Sequence, residues 1–258
     1  MTSAVALHIE QHGRGRPTVV LLHGFAGSAR NFGPQVRFLR EHHHIVTFDL
    51  RGHARSEAPE DPSAYEPQAF VEDVGRVLQE VNAETCVLGG VSMGASIALR
   101  FALAQPSAVR GLLLASFPPK GDASTSSWAM RFANALDERG SESAGEEFVW
   151  GGARYDAAAA RLIRQGFVEH SPHALASILR RTLAVMPSVD EIDGLKKIDV
   201  PTTIVVGEND TPSRGPSTAL ADAIHGAELI VMPSIGHVVN LENTNGFNAI
   251  TAKLLSRF

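Results

Sequence analysis

Residues 85–105 read Thr-Cys-Val-Leu-Gly-Gly-Val-Ser-Met-Gly-Ala-Ser-Ile-Ala-Leu-Arg-Phe-Ala-Leu-Ala-Gln. The apolar run Cys86-Val87-Leu88 predicts a buried strand, and the segment from Met93 to Ala104 is rich in residues that favour a helix. Ser92 lies between them, with a glycine two residues away on either side. A tight strand-to-helix turn leaves little room near its backbone, so this Gly-x-Ser-x-Gly pattern predicts a sharp turn that raises the serine hydroxyl above the sheet. Ser92 is therefore a candidate nucleophile, and a glycine-rich turn without chemistry is the alternative.

Two backbone amides are candidate donors to a negatively charged oxygen beside Ser92. The N–H of Met93 lies at the start of the predicted helix and points to where such an oxygen would form. The buried strand Thr18–Leu22 ends in His23-Gly24-Phe25, and open α/β sheets carry their chemistry at the carboxyl ends of strands. We therefore predict the N–H of Phe25 as the second donor. His23 itself is interpreted as a loop histidine that hydrogen-bonds the backbone rather than as a catalytic group.

Apolar runs alternate with helical patterns along most of the chain. Helical spacing of apolar residues marks 31–40, 67–81 and 93–104. The predicted strands are Val5–Glu10 at an edge, Thr18–Leu22, Ile45–Phe48, Cys86–Leu88, Gly111–Ser116, Val200–Val206 and Glu228–Met232. Such alternation implies right-handed crossovers, and so an α/β fold with a mostly parallel sheet and helices on both faces.

The segment from Pro118 to Lys197 interrupts this alternation. It contains no clear strand, and helices are predicted at Trp128 to Arg139, Tyr155 to Glu169 and His173 to Leu183. We interpret residues 118–197 as a helical lid, inserted into a core domain that comprises residues 1–117 and 198–258.

Two further strand ends supply a candidate acid and a candidate base. Asp210 follows the strand that ends at Val206, and a carboxylate in that position can accept from a histidine and fix its tautomer. Glu208 is the rival for this role. His237 follows the last predicted strand and is the candidate general base for Ser92.

Composition limits the classes of function that remain. The 258 residues carry a net charge of −5 without a basic stripe, which argues against a nucleic-acid partner. The one cysteine, Cys86, cannot form an internal disulfide, and neither a secretory leader nor a run of about 18 apolar residues is evident. We expect a cytoplasmic protein without membrane association, and the sequence carries no indication of its oligomeric state. His42-His43-His44 is not a metal site, since side chains of consecutive strand residues alternate between faces.

The motifs together resemble the α/β-hydrolase superfamily, and most closely its small lidded carboxylesterases and enol-lactonases. The motifs that carry the resemblance are His-Gly-Phe at 23–25, Asp-Leu-Arg-Gly-His-Ala-Arg-Ser at 49–56, Gly-Val-Ser-Met-Gly at 90–94, Gly-Glu-Asn-Asp at 207–210 and Gly-His at 236–237. The resemblance implies a nucleophile, an acid and a base, with two amides as the oxyanion hole. Ser92 is the implied nucleophile, Asp210 the acid and His237 the base. The N–H groups of Phe25 and Met93 are the two implied oxyanion donors.

The predicted activity is hydrolysis of a carboxylic ester or lactone through an acyl-enzyme, without a metal or organic cofactor. Two alternatives remain: a C–C bond hydrolase or lyase with the same triad, and a ligand receptor of the same fold with little turnover. Relatives that cleave C–C bonds often have Asn before the serine, where this chain has Val91. Related lyases tend to have Arg four residues after it, where this chain has Ser96. Ala54 replaces a second glycine that many relatives have in the loop after Asp49.

Overall fold

The computed structural model describes residues 4–121, 123–151 and 157–258. Its strands are β1 (Ile9–His12), β2 (Thr18–Leu22), β3 (His44–Phe48), β4 (Cys86–Val91), β5 (Val109–Ala115), β6 (Thr202–Gly207) and β7 (Glu228–Met232). They form one sheet in the order β1-β3-β2-β4-β5-β6-β7. Only the pairing of β1 with β3 is antiparallel. The predicted mostly parallel sheet is confirmed.

Helices cover both faces of this sheet. The described helices are α1 (Gly33–Leu39), α2 (Pro67–Glu80), α3 (Met93–Ala104), α4 (Ala123–Gly145), α5 (Ala157–Phe167), α6 (Pro172–Ile178), α7 (Thr211–Ala223), α8 (Val239–Glu242) and α9 (Thr244–Leu255). Alternate residues of β2 belong to different cores: Val20 and Leu22 pack with α2, α3 and α7, whereas Val19 and Leu21 pack with α1 and α9. This alternation follows from the two-residue period of a strand, and it buries the central strands on both sides.

The edge strand begins later than the sequence predicts. Val5–Glu10 was the expected span, but β1 starts at Ile9. The residues before it bond to the loop after β3: Ala6 O accepts from Glu57 N at 2.9 Å, and His8 N donates to Ser56 Oγ at 2.9 Å. Because this loop already satisfies their backbone groups, they do not join the ladder with β3.

A third apolar cluster is formed by the helices between β5 and β6. Phe132, Phe167, Leu175 and Leu179 are buried in it, and Phe25 packs against it from the loop after β2. Two of the predicted helices are present. The first, α4, begins before Trp128 and is interrupted at Gly140, which has a φ of 74° and directly follows the predicted end at Arg139. The second is α6, which continues into a π-helical turn over Leu179–Leu183. The predicted start of the third, at Tyr155, lies outside the described residues, and α5 begins at Ala157.

Candidate active site

Ser92 lies on the sharp turn between β4 and α3. Its backbone angles, φ 56° and ψ −119°, are ones that L-residues rarely adopt. The flanking glycines are required by space: a Cβ on Gly90 would lie 2.3 Å from the backbone of Gly94, and one on Gly94 would lie 2.2 Å from the Leu22 carbonyl oxygen. The turn is fixed to the neighbouring strand by a 2.8 Å hydrogen bond from Ser92 N to Ala115 O. The predicted strand-to-helix turn at Ser92 is therefore present, and its backbone is held in one conformation.

The loop after β2 lies beside Ser92. A Cβ built on Gly24 would be 3.4 Å from the Cβ of Ser92, which is van der Waals contact, so Gly24 lies directly against the serine. Gly24 and Gly27 close a turn through a 3.1 Å bond from Gly27 N to Gly24 O, with Phe25 as a central residue. In the described part of the chain, neither the Phe25 N–H nor the Met93 N–H donates to a protein acceptor. Both amides are thus available to an oxygen of a ligand.

His237 contacts Asp210 directly. Its Nδ1 lies 2.7 Å from Asp210 Oδ2, and the carboxylate is 3% exposed whereas the imidazole is 46% exposed. Burial alone would raise the pKa of Asp210, but the hydrogen bond and the charge of His237, together with the nearby hydroxyls of Ser213 and Ser116, hold that pKa below its ordinary value. Asp210 is therefore ionised near neutral pH and accepts from His237 Nδ1–H. In this tautomer Nε2 of His237 is the basic nitrogen.

Glu208, the rival carboxylate, has a different partner. Its Oε2 accepts from the backbone N–H of Ser234 at 2.9 Å, at the exposed surface. Glu208 thus stabilises the loop that precedes His237. It does not contact the imidazole.

Sequence reasoning missed Ser116, which directly follows β5. This serine is fully buried and has a φ of 47°. Its N–H donates to Val205 O at 2.7 Å, and its hydroxyl donates to His237 O at 2.8 Å. Ser116 therefore connects the ends of β5 and β6 to the loop that carries His237. Its position at the end of a strand next to β4 was the available signal.

The structure brings Asp210 and His237 together, but it shows no hydrogen bond between Ser92 and His237. Within the described ranges, the side-chain partners of His237 are Asp210 and, at 3.5 Å, Ser213. Catalytic hydrogen bonds are often long in unliganded enzymes and tighten only when substrate binds. The role of Ser92 as the partner of His237 accordingly belongs to the proposal below.

His23 has the structural role that the sequence predicts. It is buried, its Nδ1 donates to Gly24 O at 2.8 Å, and its Nε2 accepts from Leu50 N at 2.9 Å. Burial lowers the pKa of His23 to about 4, so the ring is neutral at pH 7. The predicted loop histidine is confirmed.

The loop after β3 supports the same region. Asp49 Oδ1 accepts from Ala29 N at 2.7 Å, and Asp49 Oδ2 accepts from Arg55 Nε at 2.8 Å. Arg51 forms a two-point ion pair with Asp73, at 2.7 and 2.8 Å. These contacts hold the loop together and join it to Asp73 of α2.

The described residues contain no group of three or more His, Cys, Asp or Glu side chains arranged to hold a metal ion. No helix among them is long and apolar enough to cross a bilayer. In the triple-histidine segment, His44 bonds instead to Thr18 Oγ1 at 3.2 Å and to Gln11 Oε1 at 3.1 Å.

Comparisons with known proteins indicate the family to which the chain belongs. The model described as "Alpha/beta hydrolase family" matches residues 19–250. The chain is 27% identical over 257 residues to a pimeloyl-[acyl-carrier protein] methyl ester esterase of Nitrosospira multiformis, covering 95% of this chain and 96% of that protein. It also superposes on the enol-lactonase of Burkholderia xenovorans LB400 with a TM-score of 0.86, at 22% identity, covering 98% of this chain and 97% of the other.

Some curated relatives match only part of the chain. Mouse epoxide hydrolase 3 is 30% identical over 119 residues, which is 46% of this chain and 32% of that protein. The chain thus matches about a third of the length of this relative.

Proposed function

The chain belongs to the alpha/beta hydrolase family, and from this premise we propose that it is a serine hydrolase of carboxylic esters or lactones. Ser92 is the nucleophile, His237 the general base, Asp210 the residue that orients His237, and the amides of Phe25 and Met93 form the oxyanion hole. The observation that carries the proposal is the 2.7 Å contact between His237 Nδ1 and buried Asp210, which leaves Nε2 of an exposed imidazole as the base.

The reaction proceeds in two acyl-transfer steps. His237 Nε2 takes the proton of Ser92 as its oxygen attacks the ester carbonyl, and the tetrahedral oxyanion accepts from the two amides. The ester C–O bond then breaks, and His237 returns the proton to the departing alcohol. His237 then takes a proton from water as the water oxygen attacks the acyl-enzyme. The bond between the acyl carbon and Ser92 Oγ breaks, the acid leaves, and His237 returns the proton to Ser92. Throughout, ionised Asp210 stabilises the imidazolium.

Labelling and substitution of Ser92 test the proposal. We expect a fluorophosphonate probe to modify Ser92, and Ser92→Ala to lower kcat/KM for p-nitrophenyl acetate on the order of 10³-fold or more. Ser96→Ala is the matched control, because Ser96 lies one helical turn further along α3 and its hydroxyl bonds to Met186 Sδ at 3.1 Å. The control variant should keep most of the activity. A Ser92→Ala enzyme with wild-type activity, or with a different labelled serine, would overturn the proposal.

Turnover separates this proposal from the receptor alternative. An esterase needs a carbonyl carbon within about 3–3.5 Å of the nucleophile and an oxyanion hole already in place, whereas a receptor needs only affinity. We expect kcat of about 1–10³ s⁻¹ on short activated esters or lactones. Tight binding of a small ligand together with a few turnovers per hour on every ester would favour the receptor. Faster action on a vinylogous diketone than on esters would favour C–C bond cleavage.

A further inference from the structure

The turn that carries the Phe25 amide is held by a buried histidine at its first carbonyl. Gly24 O accepts from both Gly27 N, at 3.1 Å, and His23 Nδ1, at 2.8 Å. Ala26, the other central residue, has a φ of 54°. A non-glycine residue in this region costs about 1 kcal/mol or more, so the turn needs external contacts to persist. The direction of the Phe25 N–H depends on those contacts.

A second histidine, which comes from between α5 and α6, holds the last carbonyl of the turn. His170 is 4% exposed, and its Nε2 lies 2.9 Å from Gly27 O, 143 residues away in sequence. Its Nδ1 lies 3.1 Å from Phe167 O, a local contact. A neutral imidazole has one N–H and donates to only one of these carbonyls, whereas an imidazolium donates to both. Phe167 O already accepts from the backbone N–H of His170, at 3.1 Å, whereas His170 Nε2 is the side-chain donor within reach of Gly27 O, so the contacts favour the Nε2–H tautomer.

Neighbouring contacts also join the region after β2 to the helical segment between β5 and β6. Glu169 forms an ion pair with Arg30, in which Arg30 Nη1 lies 3.3 Å from Glu169 Oε1. The ring of Phe25 packs edge-to-face on Phe132 of α4, at 6.0 Å between centroids. The ring of His53 also lies near the turn, with its centroid 6.2 Å from that of Phe25 and 5.3 Å from that of His170. The turn is thus enclosed between the helical segment and the loop after β3.

We propose that His170 is a positioning residue for the oxyanion hole: by donating from Nε2 to Gly27 O, it fixes the turn so that the Phe25 N–H faces the oxygen of the transition state. This inference rests on the proposed function. It couples the docking of residues 167–170 on the core to the catalytic step, because the hole is complete only while His170 is in contact with Gly27.

Two amide substitutions separate the two nitrogens of His170. The amide nitrogen of His170→Gln lies near the position of Nε2 and can still donate to Gly27 O. The shorter His170→Asn reaches only the position of Nδ1. His173→Asn is the matched control, because His173 Nε2 also bonds to the core across this boundary, at 2.9 Å from Pro59 O, but does not touch the turn.

The measurements are kcat and KM for a p-nitrophenyl ester and the inhibition constant of a matching trifluoromethyl ketone. Ser92 Oγ adds to the ketone carbonyl, its proton passes to His237, and the resulting oxyanion occupies the hole. Removing one oxyanion donor costs about 10²–10³-fold, so we expect His170→Asn to lower kcat and weaken inhibitor binding about 10- to 100-fold, with KM little changed. His170→Gln should recover most of both quantities. His173→Asn should leave the inhibitor affinity near that of the wild type.

Equal losses of kcat and inhibitor affinity in His170→Asn and His170→Gln would overturn the inference. An equal loss in His173→Asn would also overturn it and would indicate only a general loss of packing between the helical segment and the core. Wild-type inhibitor affinity in His170→Asn would overturn it as well. Thermal unfolding of all three variants establishes that they are folded. Failure of the proposed function is distinguishable, because the wild-type enzyme would then not be labelled at Ser92, whatever the substitutions at position 170 do.

Discussion

Asp210 determines how His237 is oriented, and its substitution is the sharpest test at the scale of one residue. An amide in place of this buried carboxylate favours the wrong tautomer of His237 and cannot stabilise the imidazolium. We expect Asp210→Asn to lower kcat on the order of 10³-fold or more. Glu208→Gln should cost far less, because the Glu208 side chain accepts from Ser234 N and has no hydrogen bond to His237 among the described residues. Steady-state kinetics on one ester measure both variants, and equal losses would contradict the assignment of Asp210.

His23 gives a prediction for stability against pH. Its pKa of about 4 in the folded protein lies below the value of about 6.5 for an unfolded chain. Between these values the unfolded chain binds a proton that the folded protein does not, so the free energy of unfolding falls as pH drops from 6.5 to 4 and this contribution then levels off. The loss amounts to about 3 kcal/mol, from about 1.4 kcal/mol per pH unit.

Urea unfolding of the wild type and His23→Gln between pH 7 and pH 4 measures this contribution. The variant cannot titrate at this position, so its stability should be lower at pH 7 but should decline less on acidification. Parallel curves for the two proteins would show that the ring of His23 does not remain neutral in the folded state.

Residues were predictable where a local pattern specifies their environment. The turn at Ser92 follows from the two glycines around it, and the positions of Asp210 and His237 follow from strands that end just before them. Their joint action as a triad stays a prediction. Ser116 and His170 were not predicted, because their partners lie 121 and 143 residues away and become neighbours only through the order of the strands and the docking of the helical segment.

At the scale of elements, the buried ion pair between Arg51 and Asp73 joins α2 to the loop after β3. Their side chains are 1% and 0% exposed, and Arg51 also donates to Ala64 O at 2.8 Å. Removing one partner leaves an uncompensated buried charge, so Asp73→Asn should lower the free energy of unfolding by about 3–5 kcal/mol. Urea denaturation measures this change in the free energy of unfolding.

The matched control is Asp137→Asn in α4. Asp137 pairs with Arg180 at 2.7 Å, but its side chain is 44% exposed. Exposed pairs contribute about 0–1 kcal/mol, so this variant should stay within that range. A similar loss of unfolding free energy in both variants would show that burial does not account for the contribution of the Arg51–Asp73 pair to stability.

Elements were predictable where periodicity is strong. Apolar spacing over 67–81 agrees with α2 at Pro67–Glu80, because one face of that helix is buried on the sheet. The edge strand was misplaced because a strand with one neighbour is not specified by apolar pattern alone. There the loop after β3 competes for the same backbone groups.

At the scale of the whole molecule, the helical lid over residues 118–197 remains a prediction, and its removal would be a poor test. Ala174 and Ile178 of α6 are buried in the main core, and Thr182 Oγ1 donates to Tyr65 O at 2.7 Å. Deleting the whole segment would expose this part of the core and unfold more than the lid. A substitution on its surface is therefore a more informative test of whether the lid governs substrate choice.

Trp128 of α4 provides that substitution. It is 37% exposed and packs at 5.6 Å between centroids on Phe132, which in turn packs on Phe25 in the turn after β2. This row of aromatic rings runs from the turn that carries the Phe25 amide to the surface of α4. We hypothesise that the far end of an apolar acyl chain contacts Trp128. Losing such a contact weakens transition-state binding by about 1–3 kcal/mol for a substrate that reaches Trp128. A substrate that does not reach Trp128 is unaffected.

We therefore expect Trp128→Ala to lower kcat/KM for long-chain p-nitrophenyl esters about tenfold or more while leaving the acetate ester nearly unchanged. Fluorophosphonate labelling of Ser92 should continue, because no member of the proposed triad is altered. Met130→Ala is the control: Met130 is similarly exposed, at 42%, and lies two residues along the same helix, so its side chain points in a different direction. An unaltered chain-length profile in Trp128→Ala, or the same change in both variants, would show that this face of the lid is only structural.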